Sequence, residues 1–302
     1  MTSALSRNIK AFYFLARKNL FRIQDESIGD IQYDQIGPFS EYVPCPVCLG
    51  EEFIDKFRRI DGMSVNECIQ CGLLQTRPRI DEEIWVEWLM QDSERSRKYT
   101  ENRLQYGYAL DHNIKYSTSF WYLRKRWKYE RMFNRIKQLT GQSIRKVHDV
   151  GCGVGFLLRE ARRMKILVSG NDLNQYAVGV MRERYGLEVA CGTVEAEPVQ
   201  RLLSGSDLVT MTDYIEHSYH PDQDLKIIQD QLVPNGIVYL TTFHTDCRQA
   251  EKYGPNWNMY CWNHVYHFDR QNLEALVTNA GFKIIHTYFP YLRPHCEILA
   301  RK

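Results

Sequence analysis

The chain has 302 residues, of which 44% are hydrophobic and 25% charged, and its 39 basic and 37 acidic residues leave a formal net charge of +2. This length accommodates one large domain with a sizeable apolar core and a smaller domain beside it. The nearly balanced charge gives no compositional reason to expect a nucleic-acid partner, and no segment reaches the roughly 20 apolar residues that a membrane-spanning helix needs.

The first segment predicts a basic amphipathic helix over residues 1 to about 24, followed by a polar linker to residue 40. Its apolar stripe has helical spacing and comprises Ile9, Phe12, Ala16, Leu20 and Ile23. Basic residues interrupt the stretch and no small-residue cleavage site follows, so we expect no secretory signal and a cytoplasmic protein. Packing of this helix against the rest of the protein and peripheral contact with a membrane both stay open.

Two pairs of cysteines mark residues 41–80. Cys45 and Cys48 form one CxxC pair, and after a gap of nineteen residues Cys68 and Cys71 form a second. In a reducing compartment, thiolates at this spacing hold a zinc ion tetrahedrally rather than forming disulfides. Gly72 suits the tight turn of such a site. Four thiolates leave no open position for a substrate, so we expect a structural zinc ribbon and no catalytic zinc.

Residues 81–143 have a mainly helical pattern and are dense in Tyr and Trp. Asp81 is the expected N-cap of the first helix, where acidic residues complement the helix dipole. A basic run from Arg124 to Lys137 carries Trp127, Met132, Phe133 and Ile136 at partly helical spacing. Interleaved charges of this kind usually form the solvated face of a helix.

The most informative motif is HDVGCGVGFLLREARR, in which Gly151, Gly153 and Gly155 stand between a predicted strand, 146–150, and a predicted helix. Glycine lets the backbone turn sharply and approach a ligand closely, and the start of the helix presents free N–H groups. LVSGNDLN then predicts a second strand that ends at Asp172, about twenty residues further on, where an acid that binds ribose belongs in a parallel sheet.

Three further segments continue the alternation of strand and helix. LEVACGTVEA predicts a strand that ends in a turn, and residues 208–211 predict a strand that runs into a polar cluster containing Asp213, Glu216 and His217. In LVPNGIVYLTTF, a turn precedes a β-branched strand, and Asn235 tolerates the positive φ that this turn requires. WNHVYHFDRQNLEALVTNAGFKII predicts a loop, a helix and a last hairpin. This order indicates an α/β fold with a parallel sheet.

From about Ile144 to the end, these motifs resemble the class I S-adenosylmethionine-dependent methyltransferases of types 11 and 23. The glycine loop is similar to their motif I, DYIEH to the D-x-x-E-H end of their fourth strand, and LVPNG to their L-x-P-G-G turn. A CxxC ribbon with the exit CGLLQTRPR is similar to zinc-ribbon methyltransferases of sugar and natural-product pathways. The resemblance implies a Rossmann-like sheet with helices on both faces over residues 144–302 and a helical lid over residues 81–143.

The same resemblance implies S-adenosylmethionine as the cofactor. The glycine loop and the acid before it would surround the methionine part, Asp172 would bind the ribose hydroxyls, and the turn after the third strand would lie near adenine. The implied binding residues are Asp149, Gly151, Gly153, Gly155, Asp172, Leu173, Thr193, Val194 and Asp213.

Methyl transfer to an oxygen also requires removal of a proton, and histidine has the unperturbed pKa nearest to neutrality. His217, His264 and His267 are predicted on loops at strand ends, where open α/β sheets place their sites. Our hypothesis is that one of them takes the proton of the acceptor.

We expect a small-molecule acceptor, a sugar, sugar nucleotide or other biosynthetic intermediate that is methylated on oxygen or carbon. The alternative is an RNA methyltransferase that uses the ribbon as a recognition module, although DYIEH differs from the Asn-Pro-Pro-Tyr-like turn of many base N-methyltransferases. A third alternative, a zinc-ribbon adaptor with a degenerate domain, is disfavoured by the intact glycine loop and by Asp172.

Overall fold

The structure is a computed structural model that describes residues 39–59, 62–108, 120–261 and 263–302. Within the chain, residues Phe39–Lys302 form one compact unit. The amphipathic helix and linker predicted for residues 1–40 lie almost entirely outside the described residues. Among the described residues, no helix combines the length and the apolar composition required to cross a bilayer.

The cysteine-rich region folds into short antiparallel strands. Cys45 and Cys68 are buried where the turns carrying the two CxxC pairs meet, and Val65 in β3 is fully buried. The strands are β1 (Phe39–Glu41), β2 (Phe53–Arg58), β3 (Ser64–Cys68), β4 (Leu74–Thr76) and β5 (Arg79–Ile80).

Three helices follow the ribbon: α1 (Glu82–Met90), α2 (Glu94–Tyr108) and α3 (Phe120–Thr140). The prediction for Asp81 is confirmed, because its Oδ1 accepts the backbone N–H groups of Glu83 and Ile84 at 3.1 and 3.4 Å. The apolar stripe predicted on α3 is buried except at its first position, since Trp127 remains 58% exposed.

The C-terminal half alternates strands and helices, as the sequence predicts. Its first part comprises β6 (Lys146–Val150), α4 (Phe156–Arg163), β7 (Leu167–Asp172), α5 (Gln175–Tyr185), β8 (Glu188–Cys191), α6 (Glu197–Leu203), β9 (Leu208–Thr212), α7 (Pro221–Gln231) and β10 (Ile237–Phe243). The rest comprises α8 (Arg248–Tyr253), a 3₁₀ turn (Gly254–Asn256), β11 (Tyr266–His267), α9 (Arg270–Asn279), β12 (Lys283–Tyr288) and β13 (His295–Arg301).

Seven of these strands form one sheet in the order β12-β13-β10-β9-β6-β7-β8. The five strands from β10 to β8 are parallel, and β13 runs antiparallel to both of its neighbours. Val147, Leu208 and Ile237 are fully buried, as expected for strands covered on both faces. Asn235 has φ +62°, which confirms the turn predicted before β10. The expected Rossmann-like α/β fold is therefore confirmed.

The ribbon and the large sheet are joined by a strand that the sequence did not predict. β11 pairs with β4, with Tyr266 opposite Gln75 and His267 opposite Leu74, so the four-stranded ribbon sheet has the order β11-β4-β3-β2. The Asn279 side chain also donates to the carbonyl of Val47 at 2.8 Å. The ribbon is thus built partly from residues that lie almost two hundred positions later in the chain.

Candidate active site

The strand order reverses between β6 and β9, and the glycine loop lies at the carboxyl end of β6. Ligands of open α/β sheets bind in the crevice at such a reversal. Gly151, Gly153 and Gly155 have φ values of +68°, +55° and +72°, so all three adopt the left-handed conformation that favours glycine. Gly155 is the N-cap of α4, which directs the first free N–H groups of that helix toward the crevice.

The three glycines differ in what surrounds them. A Cβ at Gly151 would lie 2.8 Å from the Tyr214 ring, and one at Gly155 would lie 2.8 Å from Leu187 Cδ1. A Cβ at Gly153 would meet no atom within 4 Å. The first and third glycines are therefore required by close packing of the protein, whereas the second faces open space in the crevice.

Asp172 lies at the carboxyl end of β7 and is bound to the glycine loop. Its Oδ2 accepts the N–H of Gly153 at 2.8 Å, and its Oδ1 accepts the N–H of Asn174 at 2.8 Å. Burial raises the pKa of this carboxyl, while the backbone donors and Arg103 oppose that rise. Each carboxylate oxygen has a second lone pair, so Asp172 can still accept hydrogen bonds from a ligand in the crevice.

The other residues assigned to the cofactor lie around the same edge of the sheet. Asp149 is buried in β6 and accepts the hydroxyl of Thr210 at 2.6 Å, and burial raises its pKa to about 7. Val194 is fully buried, whereas Leu173 and Thr193 are half-buried beside the ends of β7 and β8. Asp149 and Val194 thus belong to the buried interior at this edge of the sheet, whereas Leu173 and Thr193 remain accessible to a ligand.

Helix α2 packs against the loop that follows Asp172. The Asn174 side chain donates to Thr100 Oγ1 at 3.2 Å, and the Tyr176 hydroxyl donates to Glu101 Oε1 at 2.9 Å. These contacts hold α2 beside the crevice, and Arg103 lies one turn after Thr100. Helix α2, which belongs to the region predicted as a lid, is therefore docked against the loop after Asp172.

Arg103 is a residue that the sequence interpretation missed. Its pKa is raised by Tyr99, whose ring centroid lies 5.1 Å from Cζ, and further by the carboxylates of Asp213 and Asp172. The guanidinium therefore belongs to the electrostatic environment of the crevice. The pattern of α2 gave no signal for it, because Arg103 is one of several charged residues on a polar helix.

Asp213 follows β9 in an unusual backbone conformation. Its φ is +54°, a left-handed conformation that aspartate adopts more readily than most residues other than glycine. Its N–H donates to Thr241 O at 2.9 Å, and its Oδ1 lies 3.7 Å from His295 Nε2. The Asp213 carboxylate therefore lies beside Thr241 of β10, whose hydroxyl donates to it at 3.5 Å, and beside the first residue of β13.

Beyond Asp213, the residues Glu216, His217 and His264 form a compact cluster. One potential ligand atom of each lies within 4.8 Å of those of the other two. The imidazoles of His217 and His264 pack edge to face, with centroids 4.7 Å apart. Burial lowers the pKa of both histidines and, together with Asp213, raises that of Glu216 to about 8.

His267 differs from the other two predicted histidines in its position. It lies in strand β11 of the ribbon sheet and not, as expected, on a loop at a strand end. Its Nε2 lies 3.4 Å from Thr76 Oγ1, and its ring packs edge to face on Tyr260. The sequence interpretation missed this strand because two residues are too short for a periodic pattern.

The four ribbon cysteines converge as predicted. Their sulfur atoms all lie within 4.8 Å of one another, with 3.5 Å between Cys45 and Cys71 and 3.4 Å between Cys48 and Cys68. Tetrahedral zinc with bonds of about 2.3 Å needs sulfur separations of roughly 3.8 Å, so the set fits that ion. Burial raises the pKa of Cys45 to about 11, which a bound cation would reverse by stabilising the thiolate.

Comparison with known proteins identifies the family of the chain. The family model of the methyltransferase domain matches residues 122–287, which is more than half of the chain. The chain therefore belongs to the methyltransferase family, and the resemblance inferred from the sequence is confirmed.

Two curated proteins are similar to part of the chain in sequence. The ubiquinone biosynthesis O-methyltransferase of Nitrosococcus oceani is 30% identical over 113 residues, covering 36% of this chain and 48% of the relative. The tabtoxin biosynthesis enzyme of Pseudomonas amygdali pv. tabaci is 28% identical over 164 residues, covering 53% and 63%. The chain therefore spans about half of the length of the first relative and less than two thirds of the length of the second.

Two solved structures are also similar. A S-adenosylmethionine-dependent methyltransferase from Clostridium acetobutylicum has a TM-score of 0.48 and 11% identity, covering 68% of this chain and 98% of that one. Another from Archaeoglobus fulgidus has a TM-score of 0.47 and 15% identity, covering 65% and 100%.

Proposed function

We propose that this protein transfers the methyl group of S-adenosylmethionine to a small-molecule acceptor. The methyl carbon leaves the sulfonium sulfur, which keeps the electrons of the broken bond, and forms a new bond to an oxygen or carbon of the acceptor. One observation supports the proposal most directly: Asp172 accepts the N–H of Gly153, and the space next to Gly153 is open. Both residues lie where the strand order reverses, which is where open α/β sheets bind their ligands.

The cofactor would be held by chemically distinct parts of the crevice. Asp172 would accept the ribose hydroxyls, the backbone at Gly153 would approach the methionine part, and Leu173 and Thr193 would flank the adenine. Arg103 would bind the carboxylate of the methionine part, since a guanidinium is suited to bidentate contact with a carboxylate. In this arrangement α2 acts as a lid that closes over the bound cofactor.

The acceptor would lie beyond Asp213, against the cluster of Glu216, His217 and His264. An acceptor hydroxyl must lose a proton as the new bond forms, and the proton would leave toward this cluster. The position of His267 in the ribbon sheet favours the other two histidines for this role. The names of both curated relatives belong to small-molecule biosynthesis, which supports an acceptor of that class.

We propose a structural role for zinc at the four cysteines. Residues 41–80 would form the ribbon, 81–143 the lid and 144–302 the catalytic domain, with β11 tying the first of these to the last. The set of four thiolates would be fully used in holding the ion, so the ribbon would shape the acceptor side of the cleft without taking part in chemistry.

Calorimetric titration of the full chain with S-adenosylmethionine tests the proposal. We expect binding by the wild type and a loss of about ten- to hundredfold in affinity for Asp172→Ala, because hydrogen bonds to a charged group contribute about 1.5–3 kcal/mol. Asp207→Ala is the matched control, since Asp207 also accepts two backbone N–H groups, at 2.9 Å each, but near the start of β6. A wild-type chain that gives no heat with the cofactor contradicts the proposal.

A further inference from the structure

Two loops meet at the cluster of Glu216, His217 and His264, and backbone hydrogen bonds fix their relative position. The carbonyl of Glu216 accepts the N–H of Val265 at 2.8 Å, so the loop after β9 is tied to the loop before β11. His217 Nε2 lies 4.0 Å from Glu216 Oε1. The three side chains are therefore held together by the fold and not by a chance rotamer.

The hydrogen bonds of the two imidazoles determine where their protons are. His217 Nδ1 lies 2.7 Å from Asn263 O, and His264 Nδ1 lies 2.7 Å from Met259 O. A carbonyl oxygen can only accept, so each Nδ1 carries the proton and each Nε2 of the neutral ring keeps its lone pair. Histidines that bind a metal ion through one nitrogen are typically oriented in this way through the other.

Glu216 supplies an independent observation. Its side chain is 2% exposed, and Oε2 accepts the hydroxyl of Thr242 at 2.8 Å. Oε1 is buried and has no hydrogen-bond partner among the residues that the structure describes. A buried carboxylate oxygen without a donor is costly, and in this position it faces His217.

We propose that Glu216, His217 and His264 bind one divalent transition-metal ion, separate from the four-cysteine site. Two neutral imidazoles and one carboxylate are a ligand set that binds such ions with coordination positions left open. Bonds of about 2.1 Å require ligand atoms roughly 3.0–3.4 Å apart, so the cluster closes by about 1 Å around the ion. His217 is 30% exposed in its side chain and provides the route of entry.

The proposed ion gives the cluster a chemical role that deepens the proposed function and rests on it. An acceptor oxygen bound at an open position would have a lowered pKa and would lose its proton to water before attacking the methyl group. His217 and His264 would then act as ligands and not as free bases. The four-thiolate site differs in its ligands and in its coordination, because thiolate sulfurs are soft ligands and four of them leave no open position on the ion.

Titration of the full chain with Co²⁺ tests this site, using protein that carries one zinc per chain by elemental analysis. We expect one further equivalent to bind with weak d–d absorption and without the intense thiolate-to-cobalt band that exchange at the cysteines would give. Glu216→Gln and His217→Ala should each weaken this binding by at least about tenfold. Binding of S-adenosylmethionine, measured on the same samples, should be retained by both variants.

His220→Ala is the matched control. His220 has a side-chain exposure of 35%, close to that of His217, and its Nε2 lies 2.7 Å from the carboxylate of Glu82, outside the cluster. This variant should bind Co²⁺ as the wild type does. Wild-type protein that binds cofactor but no second metal ion overturns the metal site alone, and equal Co²⁺ affinity in all variants overturns it as well. If a variant fails to fold, the number of Co²⁺ ions that the wild type binds still tests the proposed metal site.

Discussion

Replacing Gly153 by alanine separates the strain of the backbone from contact with a ligand. The residue has φ +55°, and a Cβ at this position would meet no protein atom within 4 Å. We therefore expect the variant to fold, with a loss of about 1–2 kcal/mol in the free energy of unfolding from the left-handed conformation alone. The new methyl group would project into the space assigned to the cofactor.

Gly186 provides a matched control for this substitution. It ends α5 with φ +58°, and a Cβ there would also meet no atom within 4 Å. Gly186→Ala should lose the same 1–2 kcal/mol or so, because the backbone strain is nearly identical. It should leave the affinity for S-adenosylmethionine unchanged, because α5 ends away from the crevice.

Only Gly153→Ala should weaken cofactor binding, by roughly five- to 150-fold, since forcing an extra methyl group into a filled site costs about 1–3 kcal/mol. Urea denaturation measures the stability of both variants, and calorimetry measures their affinity for the cofactor. If Gly153→Ala binds S-adenosylmethionine as tightly as Gly186→Ala does, the open space at Gly153 is not where the cofactor lies.

Two further predictions concern stability. Cys48→Ser should abolish binding of the proposed zinc ion and lose several kcal/mol of stability, because β11 shares the ribbon sheet with β4. Cys191→Ser, which replaces another half-buried thiol, should contain as much zinc by elemental analysis as the wild type does. An unchanged melting temperature in the zinc-free variant would refute that coupling. Burial lowers the pKa of His148 to about 4, so the unfolded state binds more protons as the pH falls below 6.5. Wild-type stability should therefore decrease by about 3 kcal/mol more between pH 6.5 and 4 than that of His148→Gln, as measured by urea midpoints; parallel profiles would contradict the assignment.

Local patterns were sufficient to predict the large sheet and to place the glycine loop and Asp172 at its carboxyl edge. Strands and helices alternate with distinct periods, and the glycine loop and Asp172 sit at the ends of consecutive parallel strands. Parallel strands bring their carboxyl ends to one edge, so adjacency of these residues in space follows from their order in the chain. The spacing of the two CxxC pairs likewise predicted the convergence of four sulfur atoms.

The fold, the glycine loop and the cysteine cluster thus follow from the amino-acid pattern, because each depends on spacing within a short segment or on the regular geometry of a parallel sheet. The packing in three dimensions was needed to show that β11 belongs to the ribbon, that Arg103 is close enough to Asp172 and Asp213 to respond to their charge, and that Glu216 and His217 meet His264. Those contacts join residues from distant parts of the chain through loops and helix docking. These contacts depend on side-chain packing between distant segments, which the hydrophobic periodicity of the sequence does not reveal.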